Sequence, residues 1–317
     1  MGCAGEVEQY EDDEFRIING SLATSNVEKY AATVGLHQRS GDQVGVEPFC
    51  SGTLISPEVV LTASHCCDEA FSGKNANPME PEDVAIYFGD GPALQNGQLV
   101  GEFYALSEVA IHPNYDRNSL QNDICLLRLS VANDASPTIP HLPASAGLSN
   151  ADAGELLDHV GFGYADLNQT EYGVKRQAEL PIDSVSNDGR FAYVQDGNPY
   201  FGPCNGDSGG PAFIERGGQT YVAGVTSYGD AGCIEYGVST DVSFYTEWID
   251  AFVGPGGGDQ GGGEEPAGTC GDGVCGLGES CDGRGGTSAC GDCAGQTNGK
   301  PSARYCYVEG VCEGPGC

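Results

Sequence analysis

The uneven distribution of cysteine is the feature that most constrains how this chain folds. Fifteen cysteines occur in 317 residues, but seven are spread over the first 253 residues and eight lie between Cys270 and Cys317. Residues 254–268 separate the two groups, and their glycine content predicts a flexible linker. The chain therefore divides into a large N-terminal part and a small C-terminal module. So many cysteines indicate an oxidising compartment if they form disulfides.

The C-terminal module, residues 269–317, has too few apolar side chains to fold on a hydrophobic core alone. Its eight cysteines predict four disulfides, whose pairing the sequence leaves open. A metal site is the alternative, but only Cys290 and Cys293 have the short zinc spacing and the module lacks histidine. The run CGDGVCGLGESC from Cys270 resembles modules of secreted bacterial proteins. We expect the module to bind a surface, a glycan or a protein, or to protect the C-terminus.

The net charge of −33, from 46 acidic and 13 basic residues, narrows the range of partners. Nucleic acids and anionic membrane surfaces would repel such a chain. A membrane span is not expected either, because no apolar run approaches the roughly 20 residues that a span needs. We expect a monomer that binds neither nucleic acid nor the bilayer interior.

Residues 17–253 show a β-strand pattern. Their apolar residues come in short runs, such as residues 52–55, 59–62 and 221–226, which glycine, proline, asparagine and aspartate separate. Runs of this length and spacing predict an all-β sandwich or a pair of β-barrels. One helix is predicted, over residues 244–253.

Three segments of this part carry the residue types of nucleophilic catalysis: LTASHC with His65, NDICLLRL with Asp123 and CNGDSGGP with Ser208. A serine hydroxyl is a weak nucleophile and needs an imidazole to accept its proton, while a buried carboxylate orients that imidazole. We therefore predict Ser208 as a nucleophile, His65 as a general base and Asp123 as the group that orients it.

The order of these residues excludes two other hydrolase classes. The pattern G-x-S-x-G around Ser208 also fits the nucleophile elbow of α/β-hydrolases, but that fold needs a histidine after the serine. All five histidines of the chain precede Ser208. The subtilisin order needs an aspartate before the histidine, whereas Asp123 follows His65.

In this order the segments resemble those of the chymotrypsin/trypsin family of serine proteases. The likeness extends to CSGTLISP from Cys50, AIHPNY from Ala110, VGFG from Val160 and SYG from Ser227, and it covers residues 17–253. It implies two antiparallel six-stranded β-barrels with a C-terminal helix. It also implies a serine endopeptidase, secreted or held at a cell surface or in a periplasm. Such an enzyme cleaves protein or peptide substrates through an acyl-enzyme, without a cofactor or a metal.

The resemblance also assigns residues that bind substrate. The backbone N–H groups of Gly206 and Ser208 would stabilise the oxyanion, and Ser227 would contact Asp123. The substrate backbone would pair with Ser227, Tyr228 and Gly229. The specificity pocket would have Gly202 and Pro203 at its floor and Gly229 and Gly237 in its walls. Without a carboxylate at the floor, we expect a preference for aromatic or large aliphatic residues. The alternative is an Arg/Lys preference, if Glu235 enters the pocket.

The acidic leader, residues 1–16, resembles an activation peptide. In the family, cleavage after Arg16 would free Ile17, whose new ammonium group would pair with Asp207. The chain would then be a zymogen as written. Gly2-Cys3 resembles the residues around a lipoprotein cleavage site, which would place a lipid anchor on Cys3.

The family pairs the positions of Cys50 with Cys66 and of Cys204 with Cys233. Cys125 is left either as a buried free thiol or as a partner of Cys67. Two other kinds of function stay open at this point. One is an inactive protein that binds through a protease fold, and the other is an adhesion protein whose C-terminal module does the work.

Overall fold

The computed structural model describes residues 17–41, 43–69, 77–95, 98–168, 172–195 and 201–254, and four two-residue strands further on. The chain forms two compact units, Met1–Asp259 and Gln260–Cys317. Arg16, Cys3 and the rest of the acidic leader lie outside the described residues, as do the side chains of the eight cysteines in the C-terminal module.

The described residues of the first unit form fifteen strands. In chain order, β1 to β15 are Ser21–Leu22, Thr33–Ser40, Gln43–Ser56, Val59–Thr62, Val84–Phe88, Leu94–Gln95, Gln98–Leu99, Glu102–Ile111, Cys125–Leu129, Leu156–Gly161, Arg176–Ser186, Arg190–Val194, Pro211–Arg216, Gln219–Gly229 and Tyr236–Asp241. The α-helices are α1, Glu28–Ala31, and α2, Thr246–Val253. Short 3-10 helices cover Ser64–Cys66, Pro81–Asp83, Ala144–Ala146, Asn150–Asp152 and Val242–Tyr245.

The first barrel closes in the order β2-β3-β4-β9-β8-β5, and all neighbours are antiparallel. Its strands are rich in valine, isoleucine and leucine, which favour pleated, half-buried positions. The side chains of Val34, Leu54, Leu61, Ile86 and Leu126 are buried in one cluster. The apolar runs at residues 52–55 and 59–62 therefore supply adjacent strands of one core.

The second barrel has the order β11-β10-β13-β14-β15-β12, and pairing of β12 with β11 closes it. The two-residue strand β1 adds to β11 from outside this ring. Leu157, Leu180, Phe191, Ile214 and Ala223 form its buried cluster. The prediction of two antiparallel six-stranded barrels is confirmed, and of the two architectures that the strand pattern allowed, the barrel pair is the one that forms.

The predicted C-terminal helix is also present, but it begins two residues later than residue 244. Residues Val242–Tyr245 form a 3-10 helix instead, and the carboxylate of Asp241 accepts a hydrogen bond from Ser243 N at its start. Ile249 of α2 is fully buried, which anchors the helix to the first core cluster. None of the helices in the described ranges has the length and apolar character needed to cross a membrane.

The second unit contributes four short strands to the description. β16, Glu279–Ser280, pairs in parallel with β17, Ser288–Ala289. β18, Tyr307–Val308, pairs antiparallel with β19, Val311–Cys312. The predicted disulfides of this module lie outside the described residues.

Three disulfides connect cysteines of the described ranges. Cys50 bonds to Cys66 and Cys204 bonds to Cys233, the pairs that the family resemblance implies. Cys67 bonds to Cys125, so the alternative of a free thiol at Cys125 is wrong. The sequence left this point open because Cys66 and Cys67 are adjacent, and only the pairing of β4 with β9 brings Cys125 to their end of the barrel.

Candidate active site

Strand pairing in the first barrel brings His65 and Asp123 together. Thr62, the last residue of β4, pairs with Cys125, the first residue of the antiparallel strand β9. The chain that leaves β4 and the chain that enters β9 therefore lie side by side. His65 follows in the 3-10 helix Ser64–Cys66, and its Nδ1 lies 2.7 Å from Asp123 Oδ2. The backbone N of His65 donates to Asp123 Oδ1 at 2.8 Å.

Asp123 is fully buried, and its neighbours fix both its side chain and its backbone. Ser227 Oγ donates to Oδ2 of the carboxylate, as the resemblance implies, and Thr240 Oγ1 donates to the backbone oxygen at 2.9 Å. Burial of the His65 ring opposes its charged form, but the charge and hydrogen bond of Asp123 outweigh this and raise the pKa of His65. The pair is thus arranged to hold a proton on Nδ1 and to leave Nε2 for proton transfer.

Ser208 lies in the turn between Cys204 and β13, and the Cys50–Cys66 disulfide is beside it. The Cys66 sulfur lies 3.6 Å from Ser208 O and 3.8 Å from His65 Nε2. Within the described ranges, no hydrogen bond joins Ser208 Oγ to His65. Such bonds are often long in the absence of substrate and tighten in the complex with it.

Two glycines give the serine turn its shape. Gly206 has φ +95°, and a Cβ there would lie 2.6 Å from the Tyr172 ring. Gly209 has φ +79°, and a Cβ there would lie 2.4 Å from Ser51 O. Both backbone conformations are unfavourable for residues with a side chain, so this turn requires glycine.

Asp207 is buried beside the serine, in space that two glycines provide. A Cβ on Gly161 or Gly163 would overlap the Asp207 carboxylate, at 2.1 Å and 2.6 Å. Gly163 N donates to Oδ1 at 2.7 Å and Cys204 N donates to Oδ2 at 2.9 Å. Burial raises the pKa of Asp207 to about 7 in spite of these two bonds. The VGFG motif thus makes room for a carboxylate whose charge is poorly solvated.

Ile17, the residue after the predicted cleavage site, lies in the interior. Ile17 and Ile18 are both buried, and Gly202 N donates to Ile18 O at 3.1 Å. Ile17 has φ +35°, an unfavourable backbone conformation for a β-branched residue. The start of the described chain is therefore packed against the segment that leads into the serine turn.

A cavity of about 240 Å³ opens next to Ser208. Six residues that the sequence predicted for the site line it: Pro203, Ser208, Ser227, Tyr228, Gly229 and Gly237. Gly202 and Glu235 do not line it. A Cβ on Gly202 would lie 2.3 Å from Gln195 Nε2, so the Gln195 side chain covers this glycine. The Glu235 side chain is exposed, while its backbone N donates to Asp230 Oδ1 at 2.8 Å and its backbone O accepts from Gln195 N at 3.0 Å.

Six residues that line this cavity are missing from the sequence prediction, among them Tyr193, Gln195 and Asp230; the others are Asn205, Thr226 and Ala231. Tyr193 is the cross-strand partner of Gly237, and its ring packs against this glycine, which has no side chain. Gln195 Nε2 donates to Pro203 O at 2.9 Å. No sequence signal marks either residue, because their positions depend on strand register. The sequence GDAG around Asp230 is typical of a turn, and this pattern predicts a loop at the position of Asp230.

The Asp230 carboxylate organises the short loop that follows it. It accepts hydrogen bonds from the backbone N–H groups of Gly232, Ile234, Glu235 and Tyr236. Partial burial opposes the charged form, but these bonds outweigh it and lower the pKa of Asp230. Asp230 therefore stays ionised at the edge of the cavity, with its oxygens engaged by the protein.

The other histidines lie away from Asp123 and Ser208. His37 Nδ1 is 2.7 Å from Gly45 O, and the His112 ring contacts Trp248 at 4.9 Å between centroids. His141 faces Asp250, and His159 is buried against Tyr193, with a pKa that burial lowers to about 3. Among the residues that the structure describes, one group has the spacing of metal ligands, since ligand atoms of Cys50, His65 and Cys66 lie within 4.8 Å of one another. Both sulfurs are bonded to each other, however, so this cluster does not suit a metal ion.

The comparison with protein families agrees with this architecture. The family model described as Trypsin matches residues 17–249, most of the chain and all of the site above. The chain therefore belongs to the trypsin family of serine proteases, and it is a serine endopeptidase. The family assignment covers both barrels and the first half of helix α2.

Three relatives show how far the similarity extends. Brachyurin of Leptuca pugilator is 32% identical over 225 residues, 65% of this chain and 88% of the relative. Coagulation factor XII of Sus scrofa is 27% identical over 277 residues, 78% of this chain but 41% of the relative. Vitamin K-dependent protein C of Rattus norvegicus is 28% identical over 268 residues, 77% of this chain and 54% of the relative. These are animal proteins, so they do not support the bacterial origin that the C-terminal module suggests.

Proposed function

We propose that this endopeptidase hydrolyses peptide bonds with Ser208 as nucleophile, His65 as general base and acid, and Asp123 as the group that orients His65. The observation that carries the proposal is the buried Asp123 carboxylate bound to both N and Nδ1 of His65, next to the cavity that contains Ser208. The substrates are proteins or peptides. The three disulfides support an oxidising compartment outside the cytosol.

The catalytic steps follow from these positions. Ser208 Oγ attacks the carbonyl carbon while His65 Nε2 accepts its proton, and the N–H groups of Gly206 and Ser208 stabilise the oxyanion. His65 then gives the proton to the leaving amine as the C–N bond breaks, which leaves an acyl group on Ser208. A water molecule attacks this ester, His65 accepts the water proton and returns it to Ser208 Oγ, and the acid product leaves.

A fluorophosphonate probe tests this assignment, because it reacts with an activated serine and leaves other serines unlabelled. After treatment of the chain with trypsin, we expect the probe to label Ser208. Peptide hydrolysis should be lost to the same extent as Ser208 is labelled. Ser208→Ala should remove both signals, while Ser64→Ala, next to His65 in sequence, should keep the label. A folded, cleaved chain that takes up no label and cleaves no peptide would favour the inactive binding protein instead.

The chain is proposed to be a zymogen that cleavage after Arg16 activates. Support comes from the buried Asp207, whose carboxylate has two backbone donors but a pKa raised to about 7, and from the position of Ile17 beside the same segment. A new ammonium group at Ile17 would supply the counter-charge that a buried carboxylate needs. The test is N-terminal sequencing after trypsin treatment, with Ile17 expected first. Full activity of an uncleaved Arg16→Gln chain would overturn the proposal.

The proposed specificity is for aromatic or large aliphatic residues before the scissile bond. Gly229 and Gly237 line the cavity without side chains, and the Tyr193 ring and the uncharged Gln195 amide line it as well. The substrate backbone would lie along Ser227, Tyr228 and Gly229 at the end of β14, a pairing that is largely independent of sequence. Asp230 is the nearest lining carboxylate, and its oxygens already accept four backbone bonds.

Cleavage of a peptide library with mass-spectrometric readout tests the specificity. Preferred cleavage after Phe, Tyr, Leu or Met is expected. Strong cleavage after Arg that Glu235→Gln abolishes would establish the alternative pocket. If Asp230→Asn and not Glu235→Gln abolished cleavage after Arg, the carboxylate that binds the basic side chain would be that of Asp230.

The C-terminal module is proposed to attach the enzyme to a surface, a glycan or a protein, and Cys3 to carry a lipid anchor. Both depend on the sequence resemblance, since Cys3 lies outside the described residues and the description of the module is limited to four two-residue strands. Deletion of residues 254–317 should leave peptide hydrolysis unchanged and abolish attachment to the native surface. Loss of hydrolysis with attachment intact would contradict this division of roles.

A further inference from the structure

Ser51 of β3 belongs to the first barrel, but its hydrogen bonds extend to the serine turn of the second. Ser51 is fully buried, and nothing in the catalytic steps above uses its side chain. Its backbone N donates to Ser208 O at 2.8 Å, and its Oγ donates to Gly206 O at 3.0 Å. One residue thus binds the carbonyl oxygens of the two residues whose N–H groups form the proposed oxyanion site.

The Ser51 hydroxyl is satisfied on both sides. While it donates to Gly206 O, it accepts a hydrogen bond from Phe162 N at 3.0 Å. The next residue, Gly163, donates its N–H to Asp207 Oδ1 at 2.7 Å. Consecutive backbone donors of the VGFG segment therefore bind the Ser51 hydroxyl and the Asp207 carboxylate. A hydroxyl with one donor and one acceptor partner has a fixed orientation.

Gly206 is the residue of the turn that most needs an external contact. Its φ is +95°, and because glycine has no Cβ, its backbone can adopt more conformations than that of any other residue. Rotation about this glycine changes the direction of its N–H, and an oxyanion donor must be placed within a few tenths of an ångström. A hydrogen bond from a buried strand residue restricts this rotation, because β3 is held on both sides by β2 and β4.

We propose that Ser51 is a positioning residue for the oxyanion site. Its hydroxyl holds the Gly206 peptide in the orientation that binds the transition state. This inference rests on the proposed roles of Gly206 and Ser208. It predicts that the side chain of Ser51 affects the rate of the chemical step, while substrate binding in the cavity beside Ser208 is largely independent of it.

The test compares Ser51→Ala with the unchanged chain, both full length and both treated with trypsin. Removal of the hydroxyl leaves Gly206 O and Phe162 N without this partner. We expect kcat to fall about 10-fold and KM to change less than about 2-fold, since a misplaced oxyanion donor acts on the transition state alone. Affinity for a peptide boronic acid, which mimics the tetrahedral intermediate, should fall by the same factor as kcat.

The matched control is Thr33→Val. Thr33 is a buried residue of the same barrel whose hydroxyl donates to a backbone oxygen, that of Lys29 at 3.1 Å, and it has no contact with the serine turn. Both variants lose one buried hydroxyl bond, so both should lose some thermal stability. Only Ser51→Ala should lose kcat. If Ser51→Ala does not fold, Ser51→Gly removes the same hydroxyl without adding volume and keeps the backbone donor.

The possible results separate this inference from the proposed function. An active parent chain with unchanged kcat and unchanged boronic acid affinity in folded Ser51→Ala overturns the role of Ser51 and leaves the proposed function intact. A fall in kcat of the same size in Thr33→Val shows a general loss of structure and also overturns it. A parent chain that does not hydrolyse peptides after cleavage contradicts the proposed function itself, and with it this inference.

Discussion

The two barrels contribute to the active site in different ways. In the first barrel, the adjacent strands β4 and β9 bring His65 and Asp123 into direct hydrogen bonding. In the second, the turn that carries Ser208 is held by residues from distant segments, among them Ser51 and Gly163. Strand pairing therefore brings His65 to Asp123, and Ser227 and Thr240 of the second barrel add bonds to Asp123. The proposed nucleophile and oxyanion donors depend more on long-range contacts. In the proposed zymogen, the second part is the one that cleavage after Arg16 would control.

The largest expected effect concerns the first barrel. Asp123→Asn should lower kcat by about 10⁴-fold, because an amide in this position favours the wrong tautomer of His65. The loss of the charge should also lower the pKa of His65, so the acidic limb of the pH–rate profile should move to lower pH. The pH–rate profile of the cleaved variant, measured with a peptide substrate, checks both.

A matched control for this change is Asp158→Asn. Asp158 is also a buried carboxylate, but it bonds to Lys29 and Tyr30, and none of its hydrogen bonds within the described residues involves His65. Its loss should lower stability and leave kcat within about 2-fold. An Asp123→Asn chain with near-normal kcat would show that the contact with His65 has no catalytic role.

The next effect tests the dependence of the second barrel on Asp207. In the cleaved chain, Asp207→Asn removes the partner of the Ile17 ammonium group and should lower kcat by about 100-fold, the size expected when an oxyanion donor is lost. In an uncleaved Arg16→Gln chain, the same substitution should leave the low residual rate unchanged. Equal losses in the two backgrounds would break the proposed link between activation and the serine turn.

Ser227 connects the two barrels, since it lies on β14 and donates to Asp123 of the first barrel. Ser227→Ala should lower kcat by about 10-fold, because Asp123 keeps two bonds to His65 but loses one that sets its orientation. Parallel measurement of kcat and KM distinguishes this role from substrate pairing, which involves only the backbone of Ser227. A change confined to KM would argue against the link.

The smallest expected effect is on thermal stability. Burial raises the pKa of Asp207 to about 7 in the folded chain, above its value in an unfolded chain. The folded state therefore binds more protons than the unfolded state. The contribution of Asp207 protonation to the free energy of unfolding is fully present below about pH 4 and is lost as pH rises through 7. Between pH 4 and pH 8, Tm of the uncleaved Arg16→Gln chain should fall by several degrees more than Tm of the same chain with Asp207→Asn. Parallel Tm curves would show that Asp207 is already neutralised before cleavage.

Much of the fold and of the site could be predicted from the sequence, for local reasons. The short apolar runs indicated strands, and the three motifs named His65, Asp123 and Ser208 in the order of one protease family. The disulfide pairs Cys50–Cys66 and Cys204–Cys233 were implied by the same motifs. Each of these features depends on a few residues that are adjacent in the sequence, so it can be recognised without knowledge of the tertiary structure.

The full lining of the cavity beside Ser208 could not be predicted in this way. Tyr193 borders Gly237 because β12 and β15 pair in one particular register, and the Gln195 side chain lies against Gly202. A shift of one residue would place other side chains there. The sequence left entry of Glu235 into the pocket as an alternative, whereas in the structure the Glu235 side chain is exposed in the loop that Asp230 organises.

The sequence by itself determined the kind of chemistry, since a serine, a histidine and an aspartate in these motifs and this order have few other uses. It also determined the division of the cysteines into two groups. Only the tertiary structure decided that Cys67 pairs with Cys125, that Gln195 and Tyr193 shape the cavity, and that Ser51 binds the turn of the other barrel. These contacts join residues far apart in the chain, and their distances depend on how both barrels close.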